Sequence, residues 1–423
     1  MEPCFLKGAR ARLVVSTFTV LLVTCVFFPA KADPAPPFLQ LFRQTEAIAP
    51  RLAESAANVR AAEGQALQAT VRPNPSLGLE VENIGSSGRF SGLSNTQTTL
   101  SVNQPIELGG KRSARIAAGE AGISAAQARN RQVAVDFGYD LAIAYAGAEV
   151  AQARTALLED AVMAAQEDLR AARALVNAGR EADLRAVQAQ AAAAAAEADL
   201  EAARASALNA FAQLASLAGV PRPYTSVDAS LLPRANSLTP PPGEPPAVTP
   251  AVASALAERE AAARRITVER TRAVPDVTAL LGIRRLTGDN ATVFVGGVSV
   301  PLPLFDKNRG NISAAVAQLD AADARLTAAR LEAENGYRSA AAQARAAETR
   351  VAASAQAETS ADEAYRLARL GYDAGRTPLI ELLTTRRNLT VAQAATLDAR
   401  LARITAEAAL ARLFGRIPFG DNP

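Results

Sequence analysis

The feature that most constrains this chain is an internal repeat with a constant spacing of 196 residues. The aligned pairs are Pro105 with Pro301, Gly179 with Gly375, and Gly219 with Gly415. A register kept over more than a hundred residues leaves no room for loops of different length, so two copies of one structural unit are expected. We place the first repeat at 40–220 and the second at 250–416, with a C-terminal tail at 417–423.

The segment between the repeats, 221–250, contains nine prolines and is predicted to be an extended connector. Its composition is compatible with a disordered linker and equally with an ordered strap around the outside of the protein.

Residues 1–32 have the pattern of a cleaved signal peptide, with a basic start, an apolar run at 13–28 and an A-x-A site ending at Ala32. Two alternatives are an uncleaved anchor and lipidation at Cys25. Removal of the segment takes both cysteines away and lowers the formal net charge from +3 to zero. The basic pI therefore does not indicate nucleic-acid binding.

Two segments in each repeat alternate apolar and polar residues with period two, which predicts strands with one apolar face. In the first repeat they are 76–84 and the residues around Leu100 and Val102, and in the second they are 277–283 and 292–300. Strands of this length can cross a bilayer at a tilt, and a surface hairpin on a soluble sheet is the alternative for a single pair.

The rest of each repeat has helical patterns. Entry helices are expected at 44–70 and 250–272, each ending before a proline. A proline-free stretch from Lys111 to Leu175 predicts a helix roughly 100 Å long, and a return helix runs to Ala218. Leu158, Val162, Ala165, Leu169, Ala172 and Val176 form a heptad seam. The entry helix, stacked end to end on the return helix, would match the long helix in length.

Strand counting indicates an oligomer. Two hairpins supply four strands, and an open sheet edge is not tolerated in lipid. Membrane barrels begin at about eight strands, and only a wider barrel leaves a clear lumen. A duct built from this chain is therefore predicted to be a trimer, with about twelve strands from three copies.

Segments 104–112 (QPIELGGKR), 300–308 (VPLPLFDKN) and 370–383 (LGYDAGRTPLIELL) resemble the TolC-type outer-membrane efflux family, closest to its CzcC-like heavy-metal efflux branch. The resemblance implies a mainly α fold with a transmembrane β part. Long coiled-coil α-hairpins and two β-hairpins per chain would form a trimeric 12-stranded β-barrel on an α-helical tunnel. The implied location is the outer membrane of a Gram-negative bacterium, with the helical tunnel in the periplasm.

The resemblance also implies partners and function. A homotrimer in outer-membrane lipid would dock to a periplasmic adaptor (membrane-fusion) protein and an inner-membrane, proton-driven pump of the resistance-nodulation-division type. It would serve as a passive export duct, with heavy-metal cations as the expected cargo. The alternatives are a multidrug efflux duct and, from another class, a structural periplasmic coiled-coil adaptor without a pore.

Two groups of residues are carried over from the family motifs. The expected strand–helix junction residues are Pro105, Gly109, Gly110, Pro301, Pro303 and Asp306. The expected periplasmic tip and gate residues are Gly179, Arg180, Asp183, Arg185, Gly375, Arg376, Glu381 and Thr384. Glu381 corresponds to a gating carboxylate of the family, whereas Thr384 replaces a second acid. Tyr365 and Tyr372 flank the tip and are interpreted as packing residues.

No catalytic constellation, cofactor site or metal site is predicted. The chain has no histidine, and its two cysteines lie in the signal segment, so the commonest nucleophile–base pairs and thiolate ligands are missing. The sequence therefore does not indicate an enzyme.

Overall fold

The computed structural model describes residues 34–85, 87–233 and 248–420. The predicted signal peptide with Cys25, the central part of the connector and the last three residues of the tail lie outside this part of the chain. The described α-helices are α1 (Phe38–Ile48), α2 (Pro50–Ala69), α3 (Lys111–Asn177), α4 (Asp183–Ala218), α5 (Pro250–Arg272), α6 (Arg309–Asp373) and α7 (Leu379–Leu413). The described strands are β1 (Ser76–Glu82), β2 (Gln97–Ile106), β3 (Val277–Leu286) and β4 (Ala291–Ser299).

Each repeat is built around one long helix, with two shorter helices stacked end to end beside it. The long helices α3 and α6 have 67 and 65 residues, so each spans roughly 100 Å. At the end of α4, an added Cβ on Gly219 would lie 3.0 Å from the carbonyl oxygen of Ile48, just before α2. At the end of α7, a Cβ added to Gly415 would lie 3.2 Å from the ring of Pro250, where α5 begins. Both repeats therefore have the predicted end-to-end stacking.

These contacts produce a wall of helices lying side by side. Along one half of the molecule the neighbours are α2, α3, α5 and α6, and along the other they are α4, α3, α7 and α6. In the part of the chain that the structure describes, no helix has an apolar stretch long enough to span a membrane.

The entry helix of the first repeat differs from the prediction. We expected one helix over 44–70, but the structure has two helices that meet at Ala49, whose ψ of 121° is extended. The cause is Pro50, which disfavours a helical conformation in the residue before it and is well suited to the first helical position.

The 196-residue spacing holds at the turns and return helices but changes at the start of the long helices. The first residues of α3 and α6 are 198 residues apart. Gly110 and Asn308, which precede the two helices, both have left-handed backbone conformations, with φ of 75° and 54°. Asparagine tolerates this conformation better than most residues, so Asn308 can precede the second helix as Gly110 precedes the first.

The strands form one antiparallel sheet in the order β1-β2-β3-β4, so the hairpins of the two repeats pair through β2 and β3. The register places Leu79, Leu100, Ile283 and Phe294 across one face. Their side chains are between 41% and 93% exposed. The predicted apolar face is thus present, and this chain leaves it open.

Most large buried side chains lie in one belt where α1, α3, α4 and α7 meet the connector. The belt contains Phe38, Leu41, Phe137, Leu141, Tyr145, Phe211, Leu214 and Ile404. Residues 221–233 of the connector pack over it as an ordered strap. The buried Glu149 carboxylate accepts hydrogen bonds from the N–H groups of Leu231 at 2.8 Å and Leu232 at 3.3 Å. The Tyr145 hydroxyl donates to the carbonyl of Ala229 at 2.8 Å.

Candidate functional site

The long helix and the return helix of each repeat are joined by a tight turn at the end distant from the sheet. Gly179 and Gly375 each have φ of 68°, which is left-handed and favours glycine. The N–H of the next residue donates to a carbonyl five residues earlier, at 3.0 Å for Arg180 and 2.8 Å for Arg376. Both arginine side chains are exposed. The two turns have the same local structure because they occupy equivalent positions in the repeats.

The two helical hairpins pack together just behind these turns. Their shared cluster, which we call the tip cluster, contains Leu169, Ala172, Ala189, Tyr365, Ala368, Tyr372, Leu379, Leu382 and Leu383. All four helices contribute to it. The structure therefore packs together the helices that flank both predicted tip segments.

A buried ion pair crosses the tip cluster from α3 to α7. The Arg386 guanidinium donates to the Asp168 carboxylate, and their side chains are only 13% and 12% exposed. Arg386 also donates to the Tyr365 hydroxyl of α6 at 2.7 Å and lies 5.2 Å from the centre of that ring. One side chain of α7 is thus bound to both long helices.

Burial sets the electrostatics of this pair. It raises the pKa of Asp168 above its ordinary value, and the positive charge of Arg386 opposes that rise. A carboxylate in such surroundings depends on its partner, since an unpaired buried charge is strongly unfavourable.

The other predicted tip residues lie near the starts of α4 and α7. Asp183 is the first residue of α4, and Glu381 lies exposed in the first turn of α7. Among the described residues Arg185 pairs with Glu181, at an N–O distance of 3.7 Å, and not with Glu381. The Thr384 hydroxyl donates to the carbonyl four residues earlier.

Sequence reasoning missed Asp168 and Arg386, and it gave Tyr365 only a packing role. The available signal was the heptad seam. Asp168 lies three residues after the seam position Ala165, on the same face of the helix, where a charged residue requires a partner. The identity of that partner depends on α7, which is more than 200 residues away in the sequence.

At the other end of the long helix, the first strand–helix junction is closely packed. An added Cβ on Gly109 would lie 2.8 Å from the side chain of Val274. Gly109 and Gly110 both have left-handed φ values. Glu107 is bound by Arg115, and this hydrogen bond lowers the pKa of the Glu107 carboxyl.

The remaining junction residues lie in two different settings. Pro105 is part of β2, opposite Thr278, rather than of the connecting loop. Pro301, Pro303 and Asp306 lie between β4 and α6, where the Asp306 carboxylate accepts from the N–H of Asn308 at 2.8 Å.

Comparison with known proteins agrees with this architecture. The sequence profile of the family described as "Outer membrane efflux protein" matches residues 41–220 and 247–416, which are nearly the two predicted repeats. The chain belongs to the outer membrane efflux protein family. Its location in the outer membrane, its duct-type fold and the family named from the sequence motifs are thereby confirmed.

Curated members of the outer membrane efflux family match almost the entire chain. The nickel-cobalt-cadmium resistance protein NccC of Alcaligenes xylosoxydans xylosoxydans is 46% identical over 93% of this chain and 89% of its own length. The nickel and cobalt resistance protein CnrC of Cupriavidus metallidurans is 45% identical over 98% of this chain and 97% of its own.

Solved structures in the comparison share the fold at lower identity. The outer membrane protein VceC from Vibrio cholerae superposes with a TM-score of 0.72 at 21% identity, over 90% of this chain and 96% of that one. The outer-membrane channel OprN gives a TM-score of 0.73 at 22% identity, over 89% of each chain. These similarities support the fold of this efflux protein and carry no information about its cargo.

Proposed function

We propose that three copies of this chain form a passive outer-membrane export duct. The observation that carries the proposal is the open sheet. β1 and β4 are its edges, and its apolar face is exposed in the single chain. In lipid the edge N–H and C=O groups require partners, and another copy can supply them by pairing β4 of one chain with β1 of the next. Three copies would give a barrel of about twelve strands.

The helical wall supports the same assembly. Four helices lie side by side at each level of the wall, and the long helices span roughly 100 Å. Repetition of this wall around a threefold axis would enclose a tunnel continuous with the barrel. Such a duct conducts its cargo without a catalytic step.

The names of the relatives support heavy-metal cations as the cargo. Both curated relatives at 45–46% identity are named for resistance to nickel and cobalt, and one also for cadmium. We propose that this chain exports divalent cations of that kind. A periplasmic adaptor and a proton-driven inner-membrane pump of the resistance-nodulation-division type would deliver them to the tunnel.

The tip is the proposed gate of this duct. The Asp168–Arg386 ion pair joins the two hairpins of each chain just behind the turns, and the Tyr365 hydroxyl holds Arg386 within the α6–α7 hairpin. Glu381 and Arg185, near the starts of α7 and α4, are proposed to face the narrow opening. Opening would then require the α6–α7 hairpin to move away from the α3–α4 hairpin.

Two measurements test the proposal. Native mass spectrometry and planar-bilayer recording of the full-length protein are expected to show a trimer that conducts ions. A strain that lacks the chain is expected to lose resistance to nickel, cobalt or cadmium and to regain it with the wild-type gene.

The alternatives predict other results. Lost antibiotic resistance with unchanged metal resistance would identify a multidrug duct. A protein that never conducts, even with the Asp168–Arg386 pair removed, would refute the duct and favour a structural adaptor.

A further inference from the structure

The sheet has a polar face opposite the exposed apolar one. On β1, β2 and β3 this polar face includes Glu80, Glu82, Gln97, Thr99, Ser101 and Arg284. The pairing register places these residues on one side of the sheet, because successive side chains of a strand point to opposite faces. The polar face is therefore continuous across the hairpins of both repeats.

Burial shows that the sheet curves toward this polar face. From Leu280 to Arg285 of β3, half-buried residues of the polar face alternate with exposed residues of the apolar face. Leu280 is half-buried, whereas Leu281 next to it is 73% exposed. On β2, Thr99 is 4% exposed and Leu100 is 41% exposed. Side chains crowd together on the inside of a curved sheet and spread apart on its outside, so the polar face is the concave one.

The concave face is the one that a closed barrel turns inward. A membrane barrel presents apolar side chains to lipid and encloses polar ones around its lumen. Curvature and polarity therefore agree in directing the polar face toward the inside of the proposed barrel.

The strands place two carboxylates and one guanidinium on the polar face. Arg284 is occupied by the first carboxylate, because its Nη2 lies 3.4 Å from Glu82 Oε2. The same guanidinium donates to the Thr99 hydroxyl at 2.9 Å and to the Gln97 side-chain oxygen at 3.3 Å. The second carboxylate, Glu80, is exposed, and among the residues that the structure describes it has no ion pair and no side-chain hydrogen bond. The excess is one negative charge per chain.

The edge strand of a neighbouring copy cannot neutralise this charge. Glu80 lies on β1, which would pair with β4 of the next chain in the proposed barrel. β4 (Ala291–Ser299) contains no lysine or arginine. Three copies would therefore hold three unneutralised Glu80 carboxylates at one level of the lumen, and rings of carboxylates favour cations in channels.

We propose that Glu80 determines the charge specificity of the barrel, where its carboxylate attracts hydrated divalent cations and disfavours anions. The inference rests on the proposed function, because three copies must close the sheet into a barrel. One carboxylate per chain is too few ligands to retain a metal ion. Across residues 34–85, 87–233 and 248–420, no group of three or more His, Cys, Asp or Glu residues is arranged to hold one. Attraction without retention is what conduction requires.

The test measures the electrostatic potential beside Glu80 with a thiol. Ser101 is half-buried on the polar face, opposite Gly78 and diagonal to Glu80, at about 7–8 Å between Cβ atoms. The sequence has no cysteine after residue 25, so S101C adds a thiol to the strands, and the wild type measures the background. The full-length protein in lipid nanodiscs is treated with a cationic and with an anionic methanethiosulfonate reagent, and the two reaction rates are divided.

The expected result is a lower ratio of cationic to anionic rate when Glu80 is neutralised. In S101C/E80Q the ratio should fall about fivefold relative to S101C at low salt, because a unit charge at this distance favours the cation and opposes the anion. The difference should shrink in 1 M salt, where the Debye length is about 3 Å. The matched control is S101C/R285Q, which removes one charge from the apolar face of the same sheet and should leave the ratio unchanged.

The other outcomes separate this inference from the duct itself. A ratio in S101C/E80Q equal to that in S101C would overturn the role of Glu80 and leave the duct in place. An equal fall in S101C/E80Q and S101C/R285Q would overturn it too, because the effect would not depend on the face. A thiol that reacts with neither reagent until the protein is unfolded would show that the polar face lines no water-filled lumen, and would refute the barrel and the inference together.

Discussion

Replacement of Arg386 by glutamine is expected to release the gate. The change leaves the Asp168 carboxylate unpaired in surroundings where only 12% of its side chain is exposed. Loss of one partner of a buried ion pair costs about 3–5 kcal/mol. The hydrogen bond to the Tyr365 hydroxyl, at 2.7 Å, lies within the α6–α7 hairpin and does not add to the contact between the two hairpins. Because about 1.4 kcal/mol is a tenfold change in an equilibrium, the closed tip of each chain should lose at least on the order of a hundredfold in population.

Single-channel recording of the purified protein in planar bilayers measures this change directly. R386Q should open more often and conduct more than the wild type. The matched control is R387Q, because Arg387 is the next residue, is exposed and has no ion pair in the described structure. The double variant D168N/R386Q has no unpaired buried charge, so its open fraction should lie between those of the wild type and R386Q.

The double variant separates gating from general damage. A misfolded tip would give D168N/R386Q a larger defect than R386Q, whereas relief of an unpaired charge gives a smaller one. Conductance of R386Q equal to that of R387Q would show that the pair does not hold the tip closed.

Three further predictions concern stability and are measured by thermal unfolding. Burial raises the pKa of Glu407 to about 7, so its stabilising contribution is complete below about pH 4.5 and is lost as the pH rises through 7. Glu407→Gln should remove this pH dependence, which is worth about 3 kcal/mol, and should be more stable than the wild type at pH 8. Gly109→Ala should destabilise the folded protein by about 1–3 kcal/mol, because the new Cβ would meet the side chain of Val274. The control is Gly179→Ala, where φ is the same but the Cβ has open space, so its loss of stability should be smaller. Equal losses in the two variants would exclude the clash with Val274. Glu149→Ala should lower the free energy of unfolding by about 3 kcal/mol and make the connector susceptible to protease. A connector that stays resistant to protease in this variant would show that other contacts hold the strap.

The overall architecture could be predicted because it depends on local and repeated signals. Prolines limit the helices, period-two alternation identifies the strands, and the glycine turns at 179 and 375 fix where each hairpin reverses. The end-to-end stacking of α4 on α2 followed from lengths alone. The break at Ala49 was not predicted, although Pro50 disfavours a helical conformation in the residue before it.

The candidate site could be located from the sequence but not assembled. The motif at 370–383 identified the tip, yet the contacts there join residues of three helices from both repeats. A 196-residue repeat relates Arg185 to Glu381 by position, and position in a repeat does not determine which side chains meet. The pairing of Asp168 with Arg386 depends on how α3 and α7 are rotated about their axes, which the sequence pattern does not fix.

The distribution of large side chains explains why the tip, rather than another level of the wall, is suited to open. The belt beneath the strap buries several aromatic rings, whereas three of the five fully buried members of the tip cluster are alanines. Burial of one methylene contributes about 0.8 kcal/mol, so an alanine-rich contact stabilises far less than one built from rings. The hydrophobic contribution to cohesion therefore falls from the belt toward the tip, and the Asp168–Arg386 pair supplies a larger share of what remains. A contact with a small apolar contribution and one buried ion pair can open locally while the belt stays folded.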